Sequence, residues 1–209
     1  MLAFNKIKLI KNLRPLYNEY RVAFAASCCE RLVPNYNAFC IIENWGNPEV
    51  LYGALEKVWV YVEGGSLSKE DIDSLILSCK EIIPDTEDFY SIFTELAVNS
   101  VAAIIYTLRS IIETDLDELA NVGGLAVESV ESYLSAVNDP KIGVHSADKA
   151  FDTWLKRAPL LVSELNKQQE DIQFLESWMG ERKELIQILR QSSKTRGIQP
   201  FARGIFKET

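Results

Sequence analysis

Between Phe89 and Glu113 an apolar surface runs almost all the way round a helix. Phe89, Ile92, Phe93, Leu96, Ala97, Ala103, Ile104 and Leu108 recur at helical spacing and make one broad face. Val98, Val101, Ala102, Ile105 and Tyr106 cover much of the rest. A helix apolar on nearly every side must be surrounded by other elements. The longest apolar segment, Leu96 to Leu108, is interrupted by Asn99, Ser100 and Thr107 and flanked by Glu95 and Arg109. At about 13 residues it is too short to span a bilayer and reads as a core helix. This segment predicts the architecture: a helix of about 89–113 at the centre, with the rest of the chain packed around it.

The remainder is punctuated as helices. Phe4, Ile7, Ile10 and Leu13 repeat every three residues with lysines between them. Pro15 suits the first turn of a second helix, which carries Leu16, Tyr20, Phe24 and Cys28 on one face. Pro34 is expected to end it, with a short helix from Asn35 to Trp45 stopped by Gly46. Asn47 with Pro48 is an N-cap followed by a first-turn proline, and Gly64-Gly65 closes that helix. Ser68 caps a helix whose early acids, Glu70, Asp71 and Asp73, suit the positive end of the dipole. A helix over about 116–138 holds Gly123-Gly124, which suggests close approach to the central helix. A further helix begins near Ser146 or Asp148, and Pro159 kinks or splits it. A long stripe, Leu161, Leu165, Ile172, Leu175, Trp178, Leu185 and Leu189, then runs to Gln191, with Glu170, Asp171, Glu176 and Glu181 placed outside. No hairpin signal and no repeat of solenoid period occurs. The expected fold is all-α, a single-domain bundle of about seven to nine helices. Residues 1–193 form the domain, and 194–209 form a C-terminal tail partly docked through Phe201 and Phe206.

Composition then narrows the chemistry. In a chain of 209 residues there is one histidine, His145, in a loop-like stretch. Zinc and iron sites usually take several imidazoles or spaced thiolates, so no metal and no cofactor is expected. Cys28, Cys29, Cys40 and Cys79 form no C-x-x-C motif and read as reduced core thiols. A redox or metal site from Cys29, Cys40 and Cys79 is the weaker alternative. There is no phosphate-binding glycine loop and no Gly-x-Ser-x-Gly. The N-terminus lacks the apolar core of a signal peptide, so a cytoplasmic protein without membrane attachment is expected.

The net charge of −8 is distributed unevenly. Residues 1–42 carry six bases and two acids, 43–139 four bases and nineteen acids, and 140–209 twelve bases and nine acids. The acidic middle disfavours nucleic acid, although the basic ends leave it as a third reading. We expect the basic ends to complement the acidic middle within the fold.

One stretch is more specific than the others: Cys29-Glu30-Arg31-Leu32-Val33-Pro34-Asn35-Tyr36-Asn37-Ala38-Phe39-Cys40. Val58-Trp59 follows it, then Glu81-Ile82-Ile83-Pro84 with Glu87-Asp88-Phe89, and Glu184-Leu185-Ile186 before Leu189-Arg190. In this order the chain resembles the YjaG-like family of bacterial proteins, a domain-of-unknown-function family. The resemblance implies a small all-helical cytosolic domain and carries no reaction with it. The tail is less family-like.

Read from the residues, the signature is a corner where Pro34 turns the chain, Asn35 caps the next helix, and Tyr36 and Phe39 pack back. Glu30 lies where the helix dipole disfavours it and should have a specific partner, an arginine or backbone N–H groups. The corner is either structural or a polar pocket formed by Glu30, Arg31, Asn35 and Tyr36 that binds a small ligand or performs catalysis. The leading functional expectation is a non-enzymatic interaction module that self-associates, as a homodimer for instance, or binds a protein partner.

Overall fold

A computed structural model describes residues 3–142 and 149–198. Among the described residues there are nine helices and no strand, in keeping with the expected all-α bundle. They are α1 (Lys6–Leu13), α2 (Asn18–Glu43), α3 (Pro48–Glu63), α4 (Lys69–Glu81), α5 (Phe93–Glu113), α6 (Leu116–Ile142), α7 (Lys149–Leu155), α8 (Pro159–Ser177) and α9 (Arg182–Lys194).

The centre is a pair of helices. α5 lies where its apolar surface requires, and α2 runs antiparallel beside it. Asn18 meets the Ser110 carbonyl at one end of the pair, Cys29 meets Thr107, and the Ser100 hydroxyl donates to the Leu32 carbonyl. α2 is at least as enclosed as α5: every residue from Val22 to Cys29 is buried. α5 is long and apolar enough by composition to cross a membrane, yet most of its apolar stretch is buried inside the fold. α6 flanks α5 through Asn99 and Ser129, while α3, α8 and α9 clasp α2.

Helix boundaries follow local chemistry. Asn47 accepts from the Glu49 amide with Pro48 behind it, and Ser68 with Asp71 forms a reciprocal capping box. α5 begins at Phe93 and not at Phe89, because the Ser91 hydroxyl accepts from the Phe93 amide. Residues 85–88 form a turn in which Asp85 accepts from the Glu87 amide. Pro159 splits rather than kinks, since it opens α8 as a first-turn proline. The stripe from Leu161 to Leu189 is two helices, interrupted at 178–181, where Gly180 closes tightly on the Trp178 ring.

Pro34 is the main departure from expectation. It lies inside α2, which continues unbroken to Glu43. An internal proline removes one backbone hydrogen bond and costs about 3 kcal/mol. Burial of Ala23, Phe24, Cys28, Leu32, Tyr36 and Phe39 on both sides of it outweighs that penalty. No corner forms, and Asn35 is a buried mid-helix residue rather than a cap.

Gly123 and Gly124 also serve a different neighbour. A Cβ on Gly123 would stand 2.7 Å from Leu9 and 3.1 Å from the Gln168 side chain, and one on Gly124 would face Phe4. The glycines admit α1 and α8, not the central helix. His145, the helix start near Ser146, and Phe201 and Phe206 lie outside the described residues.

Candidate functional site

Because α2 is continuous, its signature residues radiate in three directions, about 100° per residue. Arg31 and Asn35 share one face, turned toward α8 and α6. Glu30 faces α3 and α9. Tyr36 and Phe39 face the α4–α5 connection. The pocket expected from Glu30, Arg31, Asn35 and Tyr36 together therefore does not assemble.

Arg31 enters a buried cluster of charges. Its Nε and Nη2 donate to the two Glu164 carboxylate oxygens, both at 2.7 Å. Its Nη1 donates to the Ser27 carbonyl at 2.7 Å and to the Ser27 hydroxyl at 3.0 Å, and Nη2 reaches the Cys28 sulfur at 3.4 Å. Asp171 lies 3.5 Å from Nη1 and forms an ion pair with Lys167. The Ser27 hydroxyl donates to Asp171 at 2.7 Å and sits 2.8 Å from the Ser193 hydroxyl of α9. Gln168 donates both to Glu164 and to the Gly123 carbonyl of α6, each at 2.9 Å. Arg31, Glu164, Lys167 and Asp171 are each 3% exposed or less.

Two cations and two anions balance at this centre. Desolvation costs each ion several kcal/mol, so only close pairing and saturated hydrogen bonds allow such burial. The guanidinium of Arg31 beside it holds the Glu164 carboxyl below its ordinary value despite burial. Glu164 is thus an anion committed to Arg31, not a proton donor. The cavity bordered by Arg31, Asn35, Ser129, Glu164, Gly197 and Ile198 measures about 10 Å³. That is room for about one water, not for a substrate. Gly197 closes tightly over Arg31 with φ +76°, and Ile198 is buried, so this start of the tail covers the centre.

Glu30 has the arginine partner its position called for, but it is Arg190 of α9. Arg190 Nε lies 2.7 Å from Glu30, and the same guanidinium pairs with Glu56 and stacks 5.9 Å over the Trp59 ring. The Trp59 indole donates to Glu30 at 2.8 Å. This cluster ties α2, α3 and α9 together.

Tyr36 and Phe39 reach the end of the molecule where α2 stops. The Tyr36 hydroxyl donates to the Ile82 carbonyl at 2.9 Å. Phe39, Trp45 and Phe89 form a three-ring cluster, with centroids 5.2 to 6.0 Å apart. Gly46, at φ +90°, leaves no room for a side chain beneath the Tyr36 hydroxyl. This aromatic interior continues outward. Ile41, Trp45, Ile83, Tyr90 and Ile92 are all exposed, Tyr90 at 92%. The same two stretches of chain, 41–49 and 81–95, carry Glu43, Glu49, Glu81, Asp85, Glu87, Asp88 and Glu95 and contain no Lys or Arg. None of these acids forms an ion pair among the described residues.

The thiols offer no nucleophile. Burial pushes Cys29 up to about 12 and Cys79 to about 11, and raises Cys28 and Cys40 as well. Among the described residues no three His, Cys, Asp or Glu side chains gather as a metal ion would need.

Sequence reasoning missed the α8 half of the charged centre. Asp171 was expected outside and is buried, as are Glu164, Lys167 and Gln168. The available signal was their spacing, i, i+3, i+4 and i+7, which places all four on one face of a helix.

The described residues thus form an all-α bundle closed around a paired charge centre. The chain belongs to the DUF416 family of proteins of unknown function, whose pattern it matches over residues 8–199. It is 25% identical over 187 residues to the uncharacterised protein YjaG of Escherichia coli, covering 88% of this chain and 90% of that protein. It is 23% identical over 190 residues to an uncharacterised protein of Haemophilus influenzae, covering 90% and 92%. The crystal structure of a DUF416 family protein from Shewanella baltica is similar with a TM-score of 0.76 at 25% identity, covering 88% of this chain and 92% of that one.

Proposed function

We propose that this protein is a non-enzymatic interaction module, and that its binding surface is the acidic aromatic end formed by the C-terminus of α2 and the α4–α5 connection. The observation that carries this reading is the outward continuation of the Phe39–Trp45–Phe89 cluster into exposed Ile41, Ile83, Tyr90 and Ile92. Scattered exposed apolar residues need no explanation, but a group continuous with an aromatic core marks a contact site. Tyr and Trp are the side chains that most often anchor such contacts. The polar groups best suited to catalysis are meanwhile committed to one another at the charged centre. Four free thiols suit a reducing compartment such as the cytoplasm.

Photo-cross-linking tests the reading. A photoreactive side chain at Tyr90 should give a discrete protein adduct in the producing cell, whether to a second copy or to another protein. The same group at Leu77, exposed on α4, serves as the control. Equal labelling at the two positions would overturn the reading.

A further inference from the structure

We propose that this chain associates head to tail, with the cationic outer face of α1 in one copy docking on the acidic aromatic end of the next. The proposal rests on the reading of that end as a protein-binding surface and names its occupant.

The argument begins with charges that find no partner inside the fold. The basic ends do complement parts of the acidic middle: Lys6 pairs with Asp117 and Arg190 with Glu56. Among the charges that form no ion pair within the described residues, two groups of a single sign lie close together in the chain. The seven acids of the aromatic end form no ion pair among the described residues. Lys8, Lys11 and Arg14 have no anion among the described residues and are all exposed. Asp117, Glu118 and Glu19 are already engaged, by Lys6, Arg109 and Arg182 in turn.

The leftover cations form a binding face. Ile7 and Lys11 stand at i and i+4 on one side of α1, Arg14 is its C-cap residue, and Tyr17 lies beyond it in the extended link to α2. Ile7 is 81% exposed and Tyr17 78%. The face therefore mixes cations with apolar anchors, as the opposite end mixes anions with them.

The two faces cannot meet within one molecule. Arg21, in the first turn of α2, donates to the carbonyls of Leu13 and Arg14, which fixes the end of α1 at the start of α2. The aromatic end lies at the other terminus of the same helix. At 1.5 Å per residue, the 26 residues of α2 separate them by about 39 Å. A two-fold symmetric contact through either face would set like charges against each other, which disfavours it. A contact between unlike faces is heterologous and closes into a ring or grows into a filament.

Analytical ultracentrifugation of the full chain reads the outcome. At low ionic strength the sedimentation coefficient should rise with concentration. In about 0.5 M salt, where screening is short-ranged, the rise should shrink. The stripe variant Lys8→Glu/Lys11→Glu/Arg14→Glu and the end variant Ile41→Lys/Tyr90→Lys should each weaken self-association by about tenfold or more. Mixed together, the two variants should form a 1:1 dimer and nothing larger, because each keeps the face the other has lost. Circular dichroism melts confirm that both remain folded.

A stripe variant that associates like the unaltered chain would overturn the proposal and leave the wider reading standing. So would a chain that stays monomeric at low salt while Tyr90 cross-links to a different protein. A monomeric chain with no specific Tyr90 adduct would overturn both.

Discussion

The charged centre around Arg31 and the aromatic end around Tyr90 both combine ionised side chains with core residues, and they use them in opposite ways. At the centre, Arg31, Glu164, Lys167 and Asp171 are sealed from water and neutral in sum. At the end, seven acids share two stretches of chain with exposed apolar side chains and form no ion pair among the described residues. The difference is dielectric. Charges removed from water must find partners within the same fold, because an unpaired one there is costly. Charges left in water can remain unpaired at little cost and so stay available to another molecule. Under the proposed function, the contrast assigns stability to one region and association to the other.

The largest effect should come from breaking the centre. Glu164→Ala strands Arg31 as a buried unpaired cation and should cost about 3–5 kcal/mol in urea denaturation. Replacing the pair together, Arg31→Met/Glu164→Leu, should recover a large part of that loss. A single variant indistinguishable from the unaltered chain would show that the centre is not a lock.

Acid should act on the same pair. In the unfolded chain the Glu164 carboxyl returns to its ordinary value near 4.5, whereas in the fold it is held lower by Arg31. The folded state therefore takes up this proton less readily. The stability Glu164 contributes is present above its unfolded value and is lost as pH falls through its folded value. Melting temperatures between pH 6 and pH 3 (about this range, set by ordinary carboxyl values) should fall more steeply in the unaltered chain than in Glu164→Gln.

A smaller effect separates two adjacent glycines. Gly123→Ala puts a methyl group against Leu9 and Gln168 and should destabilise by about 1–3 kcal/mol. Gly124→Ala meets only ordinary contact with Phe4 and should stabilise by up to about 1 kcal/mol through helix propensity. Thermal melts of the two variants should move in opposite directions.

The smallest stability change belongs to the open end. Tyr90→Ser should shift stability by less than about 0.5 kcal/mol while weakening self-association. If unfolding shifted as much as association, Tyr90 would be part of the core and the contrast between the two regions would fail.

The elements were legible in the sequence because their signals are local. Asn47-Pro48, Ser68 with Asp71, and the all-round apolar character of α5 act within a few residues, and each appears where it was read. Glu30 was legible as needing a partner, an arginine or backbone N–H groups, but not as pairing with Arg190, which lies 160 residues away in the chain. The fate of Pro34 was misread for the same reason. Its penalty is local and visible, whereas the compensation comes from α5, α6 and α8 packed around both halves of α2.

By itself the sequence determined an all-helical chain of this family, the helix that must lie inside, and the caps that bound several elements. Backbone hydrogen bonding and apolar periodicity act over one or two turns, so a linear reading reaches them. Only the tertiary structure decided which charges are buried together, that Arg31 and Glu30 face different neighbours, and which acids remain unpaired. Pairing in a low dielectric depends on distance in space, and residues such as Ser27, Arg31, Glu164 and Ser193 come within reach of one another only when three helices, α2, α8 and α9, have packed.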